Sequence, residues 1–292
     1  MSLPGLPVSL RPAAPARPLI MGVVNVTPDS FSDGGSWLEP EAAVSHGLAM
    51  IAEGAALLDV GGESTRPGAQ RPSTADELER VIPVVRALSA HGVVVSVDTM
   101  RAEVAAAALD AGATIVNDVS GGLADPAMLG LVAGRGAGYI AMHWRGHSAD
   151  MQSRAVYGDV VAEVCRELAS RRDAALAAGV APELLVLDPG LGFAKLPAHN
   201  WTLTAYLDRV VALGHPVLYA ASRKGFLGKV GRGADDAPRP VSDRDVATAA
   251  TSVLAAQAGA WAVRVHDVRS TWDALDVWEA THAARAAGGA AR

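Results

Sequence analysis

The sequence predicts an α/β protein built as a single (β/α)8 barrel with a parallel eight-stranded core. Three observations predict it. Eight short apolar runs, at 19–25, 56–60, 93–98, 114–118, 139–143, 184–188, 217–221 and 260–266, alternate with longer amphipathic, Ala-rich stretches. No two of these runs are joined by an Asn-Gly or Asp-Gly hairpin, so the connections read as helical crossovers between parallel strands. No GxGxxG turn follows an early run, as it usually does in an open doubly wound sheet that binds a dinucleotide.

Taken in order, each run ends on polar chemistry. The first ends at Asn25, the second holds Asp59 and leads into GGEST, and the third (VVVSVD) ends at Asp98. The fourth ends at Asn117 and Asp118, the fifth at His143, and the sixth (LLVLD) at Asp188. The seventh runs into Ser222, Arg223 and Lys224, and the eighth carries Arg264 and His266. The helices expected between and after them are 39–53, 74–90, 101–111, 126–133, 158–178, 200–213, 242–258 and 270–286. In a barrel all eight C-terminal strand ends converge on one mouth, the place where such enzymes put their chemistry.

At 292 residues and 50% hydrophobic content the chain suits one large barrel, taken as 19–286. Residues 1–18, rich in Pro and Ala, read as a flexible lead, and 287–292 as a frayed tail. The prolines break the apolar part of the lead, which therefore fits neither a secretory signal nor a membrane anchor. A formal charge of −6 gives no general pull toward nucleic acid or anionic lipid, so neither is an expected partner. The single cysteine, Cys165, has no internal disulfide partner and lies in a helical pattern; a cytoplasmic location follows.

Asp98 and Asp188 end runs that would bury them, and a buried carboxylate is costly unless a donor meets it. Acids, an asparagine and a lysine around one mouth suit the edge of a flat heterocycle bearing amino, imino and keto groups, as in a pterin. For Asp59, Asp118 and His143 a purely structural hydrogen bond to a loop is as good a reading as a place in the site. Arg264 and His266 alternate on one strand, point the same way and suit phosphate oxygens. The loops 27–35, polar and Gly-terminated, and 61–68, with Arg66 beside Pro67, are placed to close over a substrate. No HExxH, CxxC or two-metal acid cluster is present in the sequence.

The segments MGVVNVTPDSFSDGG, DVGGESTRPGA, SVDTM, NDVSGG, MHWRG, DPGLGFAK, ASRKGFLG and RVHDV resemble, in order from Met21 to Val268, the successive motifs of bacterial dihydropteroate synthases. The resemblance implies a homodimeric barrel that makes 7,8-dihydropteroate from 6-hydroxymethyl-7,8-dihydropterin diphosphate and p-aminobenzoate in folate biosynthesis, with Mg2+, and that sulfonamides inhibit. Carried over residue by residue, it implies that Asp98, Asn117, Asp188 and Lys224 hold the pterin edge, with Met142 lining the pocket and Arg264 against the ring. Asn25, Arg264 and His266 would hold diphosphate, with Asn25 also the one protein oxygen on Mg2+. Phe31, Ser32, Asp33, Thr65, Arg66 and Pro67 would close over the reacting centre and shape the p-aminobenzoate pocket with Phe193, Ser222 and Lys224. The sequence departs from the pattern at Gly225, where relatives commonly carry Ser or Arg, which removes a side-chain contact to the benzoate carboxylate.

The chemistry so implied is electrostatic: the arylamine is already nucleophilic, so the difficult step is breaking the carbon–oxygen bond to diphosphate along an SN1-like path. Arg264 and His266 would stabilise the leaving group, and Asp33 and Asp98 the pterin cation. The competing readings are a pterin-dependent methyltransferase, which has no use for a diphosphate site, a Schiff-base lyase using Lys224, and a catalytically silent pterin-binding paralogue. Loss of the SRK lysine or of the DPG segment would mark the last, and both are intact here.

Overall fold

Residues rich in Val, Leu and Ile and buried on both faces form the strands, as a parallel sheet covered by helices requires. The computed structural model describes residues 17–26, 39–63, 71–147, 151–230 and 237–289. Within them the order is β1 (Leu19–Asn25), α1 (Glu39–Ala52), β2 (Leu57–Gly61), α2 (Thr74–Ala90), β3 (Val95–Asp98), α3 (Ala102–Asp110), β4 (Ile115–Asp118) and α4 (Met128–Arg135). It continues with β5 (Gly138–Met142), α5 (Val160–Ala177), β6 (Leu185–Asp188), α6 (Pro197–Ala205), α7 (Leu207–Val211), β7 (Leu218–Tyr219), α8 (Asp245–Gln257), β8 (Ala262–Val265) and α9 (Val268–Gly289). The strands pair in parallel in the order β6-β5-β4-β3-β2-β1-β8-β7. A single parallel bridge between Leu187 and Val217 joins the two ends of that sheet, with the Leu187 N–H donating to the Pro216 carbonyl at 2.9 Å. The expected barrel is therefore the observed one.

Strand periodicity sorts the side chains into two sets. Met21, Leu57, Ile115, Ile140, Val186, Leu218 and Ala262 meet one another in a cluster inside the barrel. Their neighbours along the strands, among them Leu58, Val116, Tyr139, Ala141, Leu187 and Val263, face outward and pack with the helices in a second, larger cluster. Counting two residues onward from the inner set reaches Asp59, Asn117, Met142, Asp188 and Arg264. On β3 the outward pair Val95 and Val97 leaves Ser96 and Asp98 inward. Parity alone thus gathers most of the expected site at one mouth, and it places Asp118 and His143 on the outer side.

The differences from expectation lie at element ends. β3, β4 and β6 are one or two residues shorter than their apolar runs, β2 and β5 are shifted by one residue, and β7 and β8 lose three residues each, so that β7 keeps only two. The helix expected at 200–213 begins earlier, with Pro197 in its first turn, and breaks at Tyr206 into α6 and α7. Helix α2 has the expected bounds, because Ser73 and Asp76 form a reciprocal capping box at its start. Ahead of β1, Arg17 ion-pairs with Asp276 and lays its guanidinium 3.9 Å over the Trp272 ring, tying that point of the chain to α9. Cys165 is half-buried on α5 and packs against the outer cluster, as its helical pattern predicts. No helix among the described residues is long and apolar enough to cross a membrane.

Candidate active site

The inward positions form one hydrogen-bonded array at the C-terminal mouth. Arg264 on β8 is its centre: Nε donates to Asp59 Oδ2 at 2.6 Å and Nη2 to Asp98 Oδ2 at 2.7 Å. Asn117 Nδ2 donates to the same Asp59 oxygen at 2.9 Å, which orients the carboxamide and turns its oxygen away from that contact. Asp59 is fully buried, and its other oxygen, Oδ1, has no hydrogen-bond partner among the described residues. Asp59, left open as structural or functional by the sequence, is therefore the hub that holds two site residues in place.

Burial sets the protonation of this array. It pushes the Asp98 carboxyl up to about 7; Arg264 opposes the shift and Asp59 adds to it. Asp188 is likewise raised by burial, against the pull of Lys224 and of the Gly190 N–H, which donates to Asp188 Oδ1 at 2.7 Å. Lys224 is driven down to about 8 by the same desolvation, with Asp188 resisting. Near neutral pH the mouth thus holds carboxylates and an ammonium that burial disfavours and that a ligand with matching donors and acceptors would satisfy.

Two turns aim the remaining groups. After β6, Asp188-Pro189-Gly190 turns at Gly190 with φ +67°, and a Cβ there would stand 2.3 Å from the His143 carbonyl oxygen. After β7, Arg223 holds φ +57°, stabilised by a two-pronged ion pair to Asp245 at 2.7 Å for each oxygen and by Arg244 Nη1 on its carbonyl at 2.9 Å. That turn delivers Lys224 across to the Leu191 carbonyl, with its Nζ 4.7 Å over the Phe193 ring. Phe193 itself packs on the small apolar cluster of Met100, Val119 and Met142. Phe193, expected in the p-aminobenzoate pocket, thus stands beside Met142, expected to line the pterin pocket.

The Ser222 hydroxyl accepts from the His266 backbone N–H at 3.1 Å and lies 2.9 Å from the ring Nδ1. The hydroxyl oxygen has a second lone pair and its own hydrogen, so it can pair with Nδ1 in either tautomer of the ring. Ser222, expected beside p-aminobenzoate, is also the hydrogen-bond partner of His266. Arg264 keeps two of its three nitrogens on acids, and Nη1 has no hydrogen-bond partner among the described residues. Asn25 sits half-buried at the end of β1, opposite Gly61, and no described residue hydrogen-bonds its carboxamide. Gly225 is exposed, with open space where a Cβ would stand. Phe31, Ser32, Asp33, Thr65, Arg66 and Pro67 lie outside the described residues.

The other two ambiguous residues are structural. Asp118 accepts from the N–H and hydroxyl of Ser120, the N–H of Gly122 and the Tyr139 hydroxyl, at 2.6–2.8 Å. His143 joins α5 through Glu167 and meets a fully buried lysine, Lys195, that the sequence reading gave no role. The DPGLGFAK segment contained the signal, a lysine in an otherwise apolar turn.

Residues 21–266 match a family model described as pterin binding enzyme. The dihydropteroate synthase of Mycobacterium leprae is 59% identical over 88% of this chain and 91% of its own length. The chain belongs to the dihydropteroate synthase family. That of Streptococcus pyogenes is 46% identical over 88% of this chain and 93% of its own. Among solved structures, the Xanthomonas albilineans dihydropteroate synthase with 4-aminobenzoic acid superposes with a TM-score of 0.84 at 48% identity, covering 91% of this chain and 94% of that one. The same organism's enzyme in complex with 7,8-dihydropteroate gives 0.81 at 45% identity, with the same coverage. The family's enzyme from Yersinia pestis with a sulfonamide drug gives 0.84 at 40% identity, covering 91% of this chain and 95% of that one.

Proposed function

We propose that this chain condenses 6-hydroxymethyl-7,8-dihydropterin diphosphate with p-aminobenzoate, giving 7,8-dihydropteroate and diphosphate for folate biosynthesis. The observation that carries the reading is the inward-facing set of Asp98, Asn117, Asp188 and Lys224 at one mouth, in a chain of this family. A pterin edge alternates donors and acceptors; the two carboxylates accept from its N–H groups, the Asn117 carbonyl accepts from another, and the Lys224 ammonium donates to a ring oxygen or nitrogen. Met142 and Phe193 line the apolar side, and p-aminobenzoate enters between Lys224, Gly225 and the loops bearing Phe31, Ser32, Thr65, Arg66 and Pro67. Sulfonamides, which share the arylamine, compete for that place.

The bond that must break joins the pterin methylene carbon to a diphosphate oxygen. As it lengthens, positive charge spreads into the electron-rich dihydropterin, where Asp98 and Asp33 stabilise it. The negative charge leaving on diphosphate meets Arg264 Nη1 and the His266 ring. The neutral arylamine then attacks the carbon and loses its proton. Among the described residues no three acidic, His or Cys side chains gather to hold a metal. A divalent cation at this site would therefore be bound mainly by diphosphate oxygens, with the Asn25 carboxamide supplying one ligand from the protein. When bound, Mg2+ neutralises charge on the leaving diphosphate. The same reading takes the protein as a cytoplasmic homodimer, in which a second copy covers exposed apolar residues such as Val246 and Leu254 on α8 and Val277 on α9.

Turnover of the purified chain with both substrates, with and without Mg2+, tests the reading by following diphosphate and dihydropteroate together. Equal, Mg2+-dependent release of the two is expected. Pterin binding without turnover would identify a silent paralogue instead. Light scattering on the same sample, expected at twice the chain mass, tests the dimer.

A further inference from the structure

Behind the pterin-binding face lies a chain of titratable groups that the reaction does not use. Lys195 is 3% exposed, and its Nζ donates to His143 Nδ1 at 2.9 Å and to the Phe193 carbonyl at 3.1 Å. Because His143 accepts at Nδ1, its ring proton sits on Nε2, which donates to Glu167 at 3.0 Å. Arg145 holds Glu167 from the other side, Nε to Oε2 at 3.0 Å. The hydrogen bonds therefore run in one direction, from the buried lysine through a neutral imidazole to a carboxylate near the surface. Burial and the nearby Lys195 charge hold His143 down at about 4, which keeps it neutral at physiological pH.

The object so fixed is the turn at 188–195, which carries Asp188 at one end and Phe193 near the other. Four successive carbonyls of that turn accept side-chain hydrogen bonds: Leu191 from Lys224, Gly192 from Gln152 at 3.1 Å, Phe193 from Lys195, and Ala194 from the Tyr157 hydroxyl at 3.0 Å. Ala194 itself holds φ +48°, a conformation such anchoring sustains. Lys195 also stands behind Asp188: its charge is one of those that oppose the Asp188 burial shift, while burial pushes the Lys195 ammonium itself well below the ordinary lysine value.

We propose that Lys195, backed by His143 and Glu167, is a positioning residue of the pterin pocket: it fixes the turn that presents Asp188 and the Phe193 ring, and so governs pterin capture rather than bond breaking. The proposal rests on the assignment of Asp188 to the pterin edge. Lys195 is buried and its hydrogen bonds go to His143 and the Phe193 carbonyl rather than to the groups assigned to the substrates, so its effect should appear in one binding constant alone.

The test is steady-state kinetics with both substrates, together with direct binding of the dihydropterin diphosphate, on the full chain carrying Lys195→Met. A rise of about tenfold in the pterin Kd and KM is expected, the weight of one lost hydrogen bond in a buried network. The value of kcat and the KM for p-aminobenzoate should stay within about threefold, since neither depends on that bond. A folded variant with an unchanged pterin Kd overturns the proposal, as does an equal loss in every constant with a fallen Tm. Should Lys195→Met fail to fold, Glu167→Gln decides, at the chain's solvent end, where the carboxylate side chain is 34% exposed. A rise of about threefold in pterin KM is expected there, as for weakening one neutral hydrogen bond, and no change refutes the idea. Absence of dihydropteroate from the wild-type protein would instead remove the assignment on which the proposal stands.

Discussion

Asp98 and Lys224 are tuned toward each other across neutrality, one carboxyl raised to about 7 and one ammonium lowered to about 8. A pterin that offers N–H groups to Asp98 needs the carboxylate, and one that accepts from Lys224 needs the ammonium. The kcat/KM for the pterin substrate is therefore expected to rise as pH climbs through about 7 and to fall above about 8, and a pH–rate profile on the free enzyme reads both limbs. A flat profile from pH 6 to 9 would contradict this pairing. Gly225 bears on the second substrate. It is exposed and has room for a side chain, so Gly225→Ser introduces a hydroxyl without a clash. We expect it to lower the KM for p-aminobenzoate by about tenfold, the contribution of one hydrogen bond to a charged group, leaving pterin KM unchanged; an unchanged p-aminobenzoate KM would show that the backbone already suffices.

At the level of elements, the sequence was informative because two-residue periodicity survives in buried strands. Asp98, Asn117 and Asp188 were legible as a set, since each ends a strand whose apolar residues fix the parity. The same parity, applied from Ile140 instead of from the end of the run, would have placed His143 outside the barrel. What periodicity does not convey is pairing: that Arg264 reaches across to Asp59 and Asp98 depends on the closure of β8 against β1, a contact between residues 166 and 205 positions apart. The turns were legible as glycine-bearing segments but not in their purpose. Gly190→Ala makes that purpose measurable. A left-handed φ and a methyl group forced against the His143 carbonyl should cost at least about 2 kcal/mol. For a chain of this size that is roughly 3 °C in Tm. Pterin affinity should fall with it, because the same turn aims Asp188. A Tm within a degree of wild type would mean that the turn relaxes freely.

For the whole molecule, the mouth is a place where stability is given up for binding. Between the ordinary carboxylate value and about 7 the folded protein binds the Asp98 proton more tightly than the unfolded chain does. Stability from this group therefore falls as pH rises through that window, and above about 7 the full cost of a buried carboxylate is present. Lys224 has the mirror sign: its cost grows as pH falls from the ordinary lysine value to about 8 and is fully present below it. In the ligand-free protein both costs are therefore large between about pH 7 and 8, where the pH–rate argument places best function. Asp98→Asn removes one of them while keeping the shape. It should raise the Tm of the ligand-free protein at pH 8, by about 1.5 °C for each kcal/mol recovered, and lower kcat/KM for the pterin at least about a hundredfold, one lost charged contact. Dihydropterin diphosphate at a hundred times its Kd should stabilise the wild type by roughly 2.7 kcal/mol and at the same concentration leave Asp98→Asn nearly unmoved. If instead the Asn variant melts below wild type at pH 8, the attraction of Arg264 outweighs the burial of Asp98, and the carboxylate supports the fold as well as the ligand.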